Sequence, residues 1–329
     1  MTAAAEPSVQ AAIYGCSGPE LTAWEVGFFR DAAPYGLILF ARNCQTPDQV
    51  RRLIAQFRDA VGRPAPVLID QEGGRVQRLK PPVWPKHLPA AAVGAGLAAG
   101  DSDRAVTAWA AAIAAEVAAL QISHNATPVA DLISPATHDS IGDRAYGSDP
   151  AVVVQRAGLV CDAMLAAGVM PIVKHLPGYG RATVDSHASL PVVTASREVL
   201  EATDFAVFRA RAARPWGMTA HVVYTAIDPE TPGTLSPIVI DQVIRGFIGF
   251  DGVLVTDDLS MGALSGPVGS RAARALAAGC DLALHCNGDR GEMRAVADAV
   301  RAIDPAGHRR LAHADAVMAA AVDGPPAVS

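Results

Sequence analysis

The chain has 329 residues; at about 150 residues per domain this length suggests about two domains, yet a single α/β barrel of about 250 residues plus insertions fits it equally. Half the residues are hydrophobic and 18% are charged, which excludes a disordered chain, since disordered chains lack the apolar surface that offsets ordering entropy. With 27 Lys+Arg against 33 Asp+Glu the net charge is -6, and no basic run could neutralise a phosphate backbone, so nucleic acid is not an expected partner.

The five cysteines, Cys16, Cys44, Cys161, Cys280 and Cys286, form neither a C-x-x-C pair nor a zinc spacing and read as reduced, mostly buried small residues. The segment MTAAAEPSVQAAIYG holds Glu6, and no Lys or Arg precedes Arg30; without a basic region leading an apolar stretch it does not read as a secretory signal, and a cytoplasmic protein is expected. The most apolar helical candidate, starting at Ala105, is shorter than the roughly 20 residues a membrane span needs and contains Glu116.

Along the chain, short apolar runs alternate with longer Ala-rich segments. The strand candidates are AAIYGC, YGLILF, APVLID, SHNATPVADL, VMPIVKHL, WGMTAHVVY, GVLVTDD and LALHC. Runs apolar on both faces suit buried parallel strands, and the spacers are long enough for crossover helices. Helix starts are signalled by Thr46-Pro47-Asp48, by Asp149-Pro150 and by Ser196 before REVLEATDFAVFRARAA; Gly168 stops the second helix. Eight strands without a Pro/Ser-rich linker predict an α/β fold, a single (β/α)8 TIM barrel spanning residues 1–329, with a doubly wound sheet as the alternative. The irregular stretch at about 79–102 is too long for an ordinary βα loop and reads as an ordered rim insertion. The tail VDGPPAVS reads as frayed. GAGLAAG, Gly94 to Gly100, follows a Pro-rich stretch and has the spacing GxGxxxG, so it reads as loop, not as a dinucleotide fingerprint.

Ionisable residues gather at strand C-termini: Asp70 after APVLI, Asp131 after NATPVA, Lys174-His175 in MPIVKH, His221 in MTAHVVY and Asp257-Asp258 in GVLVTDD. A barrel places its reacting groups on that face. Taken singly, each such residue is as readily an Asp capping the next helix or a His bonded to a backbone carbonyl; five together point to a site. The segment KHLPGYGRATVDSH, Lys174 to His187, adds Gly178 and Gly180, read as points of movement, and an Asp185-x-His187 pair. An Asp that accepts from an imidazole fixes its tautomer and suits the other nitrogen to acid/base work, although a solvated loop would carry the same pair. No further ligand nearby supports a metal. DQEGGRVQR, Asp70 to Arg78, suits a polyhydroxylated ligand, with carboxylates accepting from sugar hydroxyls and Arg donating; a surface ion-pair cluster explains the composition equally.

Together, DQEGGRVQR, KHLPGYGRATVDSH, TAHVVY and TDDLSMGAL resemble glycoside hydrolase family 3, in particular its bacterial β-N-acetylglucosaminidases of peptidoglycan recycling, over about residues 35 to 264. The resemblance implies a (β/α)8 barrel that releases a terminal N-acetylglucosamine from GlcNAc-anhydroMurNAc(-peptide) fragments with retention of configuration, as a monomer, without metal or organic cofactor. It implies Asp257 as nucleophile, His187 as acid/base paired with Asp185, and Asp70, Arg78, Arg144, Lys174 and His175 as substrate-binding residues. The family usually writes KHFPGHG, so Tyr179 stands where a second His is expected. Asp258 beside Asp257 leaves the nucleophile ambiguous on the residues alone, and Glu72 is the next proton donor to consider. A phosphorylase, whose incoming phosphate a His would not repel, and an inactive muropeptide-binding barrel remain the alternatives.

Overall fold

The computed structural model describes residues 9–323. Eight strand positions follow one another around a barrel. They are β1 Gln10–Gly15, β2 Pro34–Leu39, β3 Val67–Ile69, β4 His124–Asn125, β5 in two pieces Met170–Pro171 and Val173–Leu176, β6 Trp216–Thr219, β7 Val253–Asp258 and β8 Leu282–His285. Each pairs in parallel with its neighbours, and β8 returns to β1 through Ala12↔Ala283, Ile13↔Leu284 and Tyr14↔His285. The two ends of the pairing order are the two pieces of β5, separated only by Ile172. The sheet therefore closes on itself, and the doubly wound alternative falls.

The strands are buried on both faces because side chains fill the interior while helices cover the outside. The helix Pro47–Val61 shows how the sequence writes one such cover. Thr46 caps its start by accepting from the Gln49 N–H, Pro47 occupies the first turn, and Gly62 ends it at φ 68. Val50, Leu53, Ile54 and Phe57 recur at helical spacing and are fully buried, each contributing about 1.5–3 kcal/mol by removal from water.

Three expectations change in detail. The fourth strand is not SHNATPVADL but His124–Asn125; Pro128 has no N–H to give a ladder, and the chain follows β5 only through the Val129–Lys174 bridge. Asp131 thus lies on the loop beyond β4. The helix predicted after Ser196 breaks at Thr203 into Arg197–Ala202 and Asp204–Arg209. The expected WGMTAHVVY strand divides: β6 stops at Thr219, and Val223–Tyr224 pairs with Val192–Val193 in a separate two-stranded sheet. Apart from one turn of 3-10 helix at Ala90–Ala92, the rim segment is irregular up to Ala98; helix Ala99–Ala119 follows, so Ala99 and Gly100 of GAGLAAG are helical. His87 of that segment meets Glu116 of the helix at 2.7 Å. The reading of the first eight residues and of the end of the tail, 324–329, lies outside the described residues.

Candidate active site

A cavity of about 190 Å³ opens at the C-terminal end of the strands, and all eight residues expected in the site line it: Asp70, Arg78, Arg144, Lys174, His175, Asp185, His187 and Asp257. Glu72, Ser140, Tyr179 and Met261 line it as well.

One side of the cavity is a buried lattice of charge. Lys174 Nζ reaches Asp70 Oδ1 at 3.0 Å and Glu72 Oε1 at 2.5 Å. Arg78 Nη2 donates to Asp70 Oδ2 at 3.0 Å. Arg144, on the turn Gly142–Arg144, grips Glu72 with two bonds of 2.8 Å each, from Nε and from Nη2. Burial by itself would raise both carboxyls. The Lys174 and Arg78 cations outweigh it at Asp70 and hold that group well below the carboxylate range, and Arg144 with Lys174 draws Glu72 down to about 2. A carboxylate so strongly ionised cannot deliver a proton near neutrality, so Glu72 is a poor alternative acid.

Beside this lattice, His175 Nδ1 stands 2.7 Å from Asp131 Oδ2. Asp131 Oδ1 accepts from the Tyr179 N–H at 2.7 Å, so this fully buried carboxylate is satisfied. His221 is buried too, and burial lowers its pKa. Its Nε2 lies 3.0 Å from the Asp258 carbonyl, which can only accept, so the proton sits on Nε2. Nδ1 lies 2.7 Å from the Thr234 hydroxyl, which itself donates to the Ala220 carbonyl at 3.0 Å.

The two neighbouring acids of β7 have different occupations. The Asp258 carboxylate accepts from the Ser260 N–H at 3.0 Å, the Ser260 hydroxyl at 2.7 Å and the Cys286 N–H at 3.2 Å. It is consumed in shaping the loop. Asp257 accepts only from the Asp258 N–H, at 2.8 Å, and faces the cavity. Burial opposes its ionisation, but His221, His175, that N–H and Lys174 prevail and hold it below its ordinary value. An ionised carboxylate free of other duties is what attack on a carbon centre needs.

Asp185 and His187 sit on the loop after β5. His187 Nδ1 is 2.9 Å from Asp185 Oδ1, and the imidazole is 72% exposed. The loop is held at several points. The Thr137 hydroxyl donates to the Gly180 carbonyl, and the His138 N–H donates to the Ala182 carbonyl at 2.8 Å. From the β7 loop, the Gly262 and Ala263 N–H groups donate to the His187 and Ser186 carbonyls at 3.2 and 2.9 Å. Gly180, expected as a point of movement, has a different reason to be glycine: a Cβ there would overlap the Leu132 carbonyl.

Glu72, Asp131 and His221 belong to the site although the sequence did not place them among its working residues. Asp131 and His221 were visible as polar strand-end residues, and Glu72 lies within the DQEGGRVQR motif. Among the described residues no cluster of three or more His, Cys, Asp or Glu is arranged to hold a metal ion.

A barrel mouth that gathers carboxylates, cations and an Asp–His pair has the groups that bind hydroxyls and move protons. Residues 31–322 match the family described as glycosyl hydrolase family 3 N terminal domain, and the chain belongs to that family; it is a glycoside hydrolase. It is 38% identical over 282 residues to a β-hexosaminidase of Alkalilimnicola ehrlichii, covering 83% of this chain and 79% of that one. A β-hexosaminidase of Tolumonas auensis is 36% identical over 292 residues, covering 85% and 82%. Among solved structures, NagZ from Neisseria gonorrhoeae in complex with N-trifluoroacetyl-D-glucosamine aligns with a TM-score of 0.84 at 30% identity, over 94% of this chain and 90% of that one. The family 3 β-N-acetylglucosaminidase from Paenibacillus sp. str. FPU-7 aligns at 0.82 and 33% identity; it is a longer protein, of which this chain spans 63%. Within the family, then, the chain is of the β-hexosaminidase, NagZ-like kind.

Proposed function

We propose that the protein is a retaining exo-β-N-acetylglucosaminidase that removes terminal N-acetylglucosamine from peptidoglycan-derived GlcNAc-anhydroMurNAc(-peptide) fragments. Asp257 attacks the anomeric carbon and forms a glycosyl ester while His187, held by Asp185, protonates the departing oxygen. His187 then takes a proton from water as the ester is hydrolysed. Asp70, Arg78, Arg144, Lys174 and His175 bind the sugar, with no metal or organic cofactor in the scheme. The observation that carries this reading is that one cavity brings together an uncommitted, ionised Asp257 and the Asp185–His187 pair.

Using an imidazole as the second group avoids setting two carboxylates against each other, where repulsion would raise the pKa of one. The substrate class is supported by the glucosamine-derived ligand named for the Neisseria NagZ structure. The five cysteines are all free, in keeping with a reducing cytoplasm.

The test is turnover of an aryl N-acetyl-β-D-glucosaminide beside the matching glucoside, with and without phosphate. Fast release from the first substrate, independent of phosphate and yielding the free sugar, is expected. Equal rates on the glucoside would overturn the hexosaminidase reading, and a sugar 1-phosphate product would replace hydrolysis with phosphorolysis.

A further inference from the structure

Tyr179, the departure from the usual motif, has contacts that no other cavity residue combines. Its N–H donates to Asp131, and its ring stands 5.8 Å from that of His175. Its hydroxyl donates to the Val184 carbonyl at 3.0 Å and accepts from the Ser186 N–H at 2.8 Å. Val184 and Ser186 are the two chain neighbours of Asp185, and His187 comes next. The ring is 4% exposed and Ser186 5%, so water does not readily replace the phenol at the Ser186 N–H, and an unpartnered buried donor is unfavourable. Other ties on the loop include the Tyr224 hydroxyl donating to the Gly178 carbonyl, Thr137 and His138 holding Gly180 and Ala182, Arg181 paired with Asp204, and Gly262 and Ala263 holding the carbonyls of His187 and Ser186. Among the described residues, only the Tyr179 hydroxyl grips the chain on both sides of Asp185 from inside the cavity wall.

We infer that Tyr179 is a positioning residue for the reaction: its phenol couples the buried Asp131–His175 pair to the loop and sets where His187 stands for proton transfer. The inference rests on the reading of His187 as the acid/base. Its consequence is specific. Loss of the hydroxyl leaves Asp257 and the charge lattice in place, so attack on the sugar is preserved while proton delivery suffers, and small displacements of a proton donor are felt strongly in rate.

The experiment compares wild type with Tyr179→Phe, which keeps the ring and the N–H bond to Asp131, using aryl N-acetyl-β-D-glucosaminides of graded leaving-group pKa. For the poorest leaving group, kcat/KM is expected to fall about tenfold, a small part of what general acid catalysis supplies, and for an activated nitrophenyl group by less than about twofold, so the dependence on leaving-group pKa steepens. Amide hydrogen exchange of residues 183–188 is expected to quicken while that of the barrel strands is unchanged. A uniform fall across the series, or an unchanged slope with unchanged exchange at Ser186, would overturn the inference. If Tyr179→Phe fails to fold, Tyr179→His is read by the same two measurements. If wild type does not cleave these substrates, it is the proposed function that fails, and the exchange at Ser186 and His187 still decides whether the phenol holds the loop.

Discussion

The fourteen residues from Lys174 to His187 carry two polar groupings of opposite character. At the strand end, Lys174 is 3% exposed and touches two carboxylates, and those are held in turn by Arg78 and Arg144. At the far end of the loop, His187 is 72% exposed and its ring touches a single partner, Asp185. A buried lattice whose members are all paired keeps one geometry and one protonation state, which suits recognition of a fixed pattern of hydroxyls. An exposed imidazole has room to meet first a leaving group and then a water, as an acid that must later become a base requires. On the proposed roles, the difference teaches that binding and proton transfer are separated by depth, along one continuous stretch of chain.

The comparison is tested most sharply by the residue both groupings serve. Asp257→Ala is expected to lower turnover by about 10⁴-fold or more, the scale seen when a covalent nucleophile is removed. Asp258→Asn, which alters a loop-shaping carboxylate, is expected to leave a measurable fraction. A fluorinated substrate is expected to trap its adduct on Asp257, and recovery of the adduct on Asp258 would reverse the assignment.

Next in size is His187→Ala, expected to lower kcat/KM on poor leaving groups by about 10²–10⁴-fold and to be partly rescued by azide with a β-glycosyl azide as product. Because the side chain is exposed, thermal stability is expected to change by no more than about 0.5 kcal/mol. Asp185→Ala is expected to show a weaker form of the same kinetic pattern. An unchanged slope with no azide product would show that the proton comes from elsewhere.

Lys174→Met reverses the balance between fold and chemistry. It leaves Asp70 and Glu72 buried with one cation fewer, and denaturant titration is expected to register a loss of about 3–5 kcal/mol. A stability change as small as that of His187→Ala would erase the contrast between the two groupings.

The smallest effect concerns pH. Glu72 has its pKa depressed by folding, so it stabilises the native state fully above its ordinary value of 4.5 and loses that contribution as pH falls toward about 2. Acid titration of wild type is expected to show stability falling across this window. Glu72→Gln is expected to flatten that part of the curve, and an unaltered curve would mean that the carboxyl is not held by its cations.

The sequence made the barrel legible because parallel buried strands are written as apolar runs with ionisable residues at their C-terminal ends, as in VLVTDD. It failed where pairing depends on distant chain: β4 was read through to Asp131, but Pro128 interrupts the ladder, and what fixes Asp131 is His175, 44 residues away. Glu72 looked like a spare acid because its guanidinium partner, Arg144, lies 72 residues along the chain. Asp257 and Asp258 were indistinguishable from their neighbours in sequence. Only the Cys286 N–H, brought up from β8, and the turn at Ser260 separate them. Tyr179 could be noticed as unusual, but the span of its hydroxyl could not be read from its position.

The seam between β1 and β8 carries a consequence for biosynthesis. Gly15 has no Cβ where the Cys286 carbonyl sits, Arg42 donates to the carbonyls of both Cys16 and Cys286, and Cys286 also supplies an N–H to Asp258. The loop that presents Asp257 is thus braced by the last strand of the barrel, and that strand docks against the first. A chain that ends after β7 contains all five residues proposed to bind the sugar but lacks the brace beside Asp257. The ring of strands is complete only when β8 reaches back along the chain to pair with β1, a non-local contact of the kind that forms slowly.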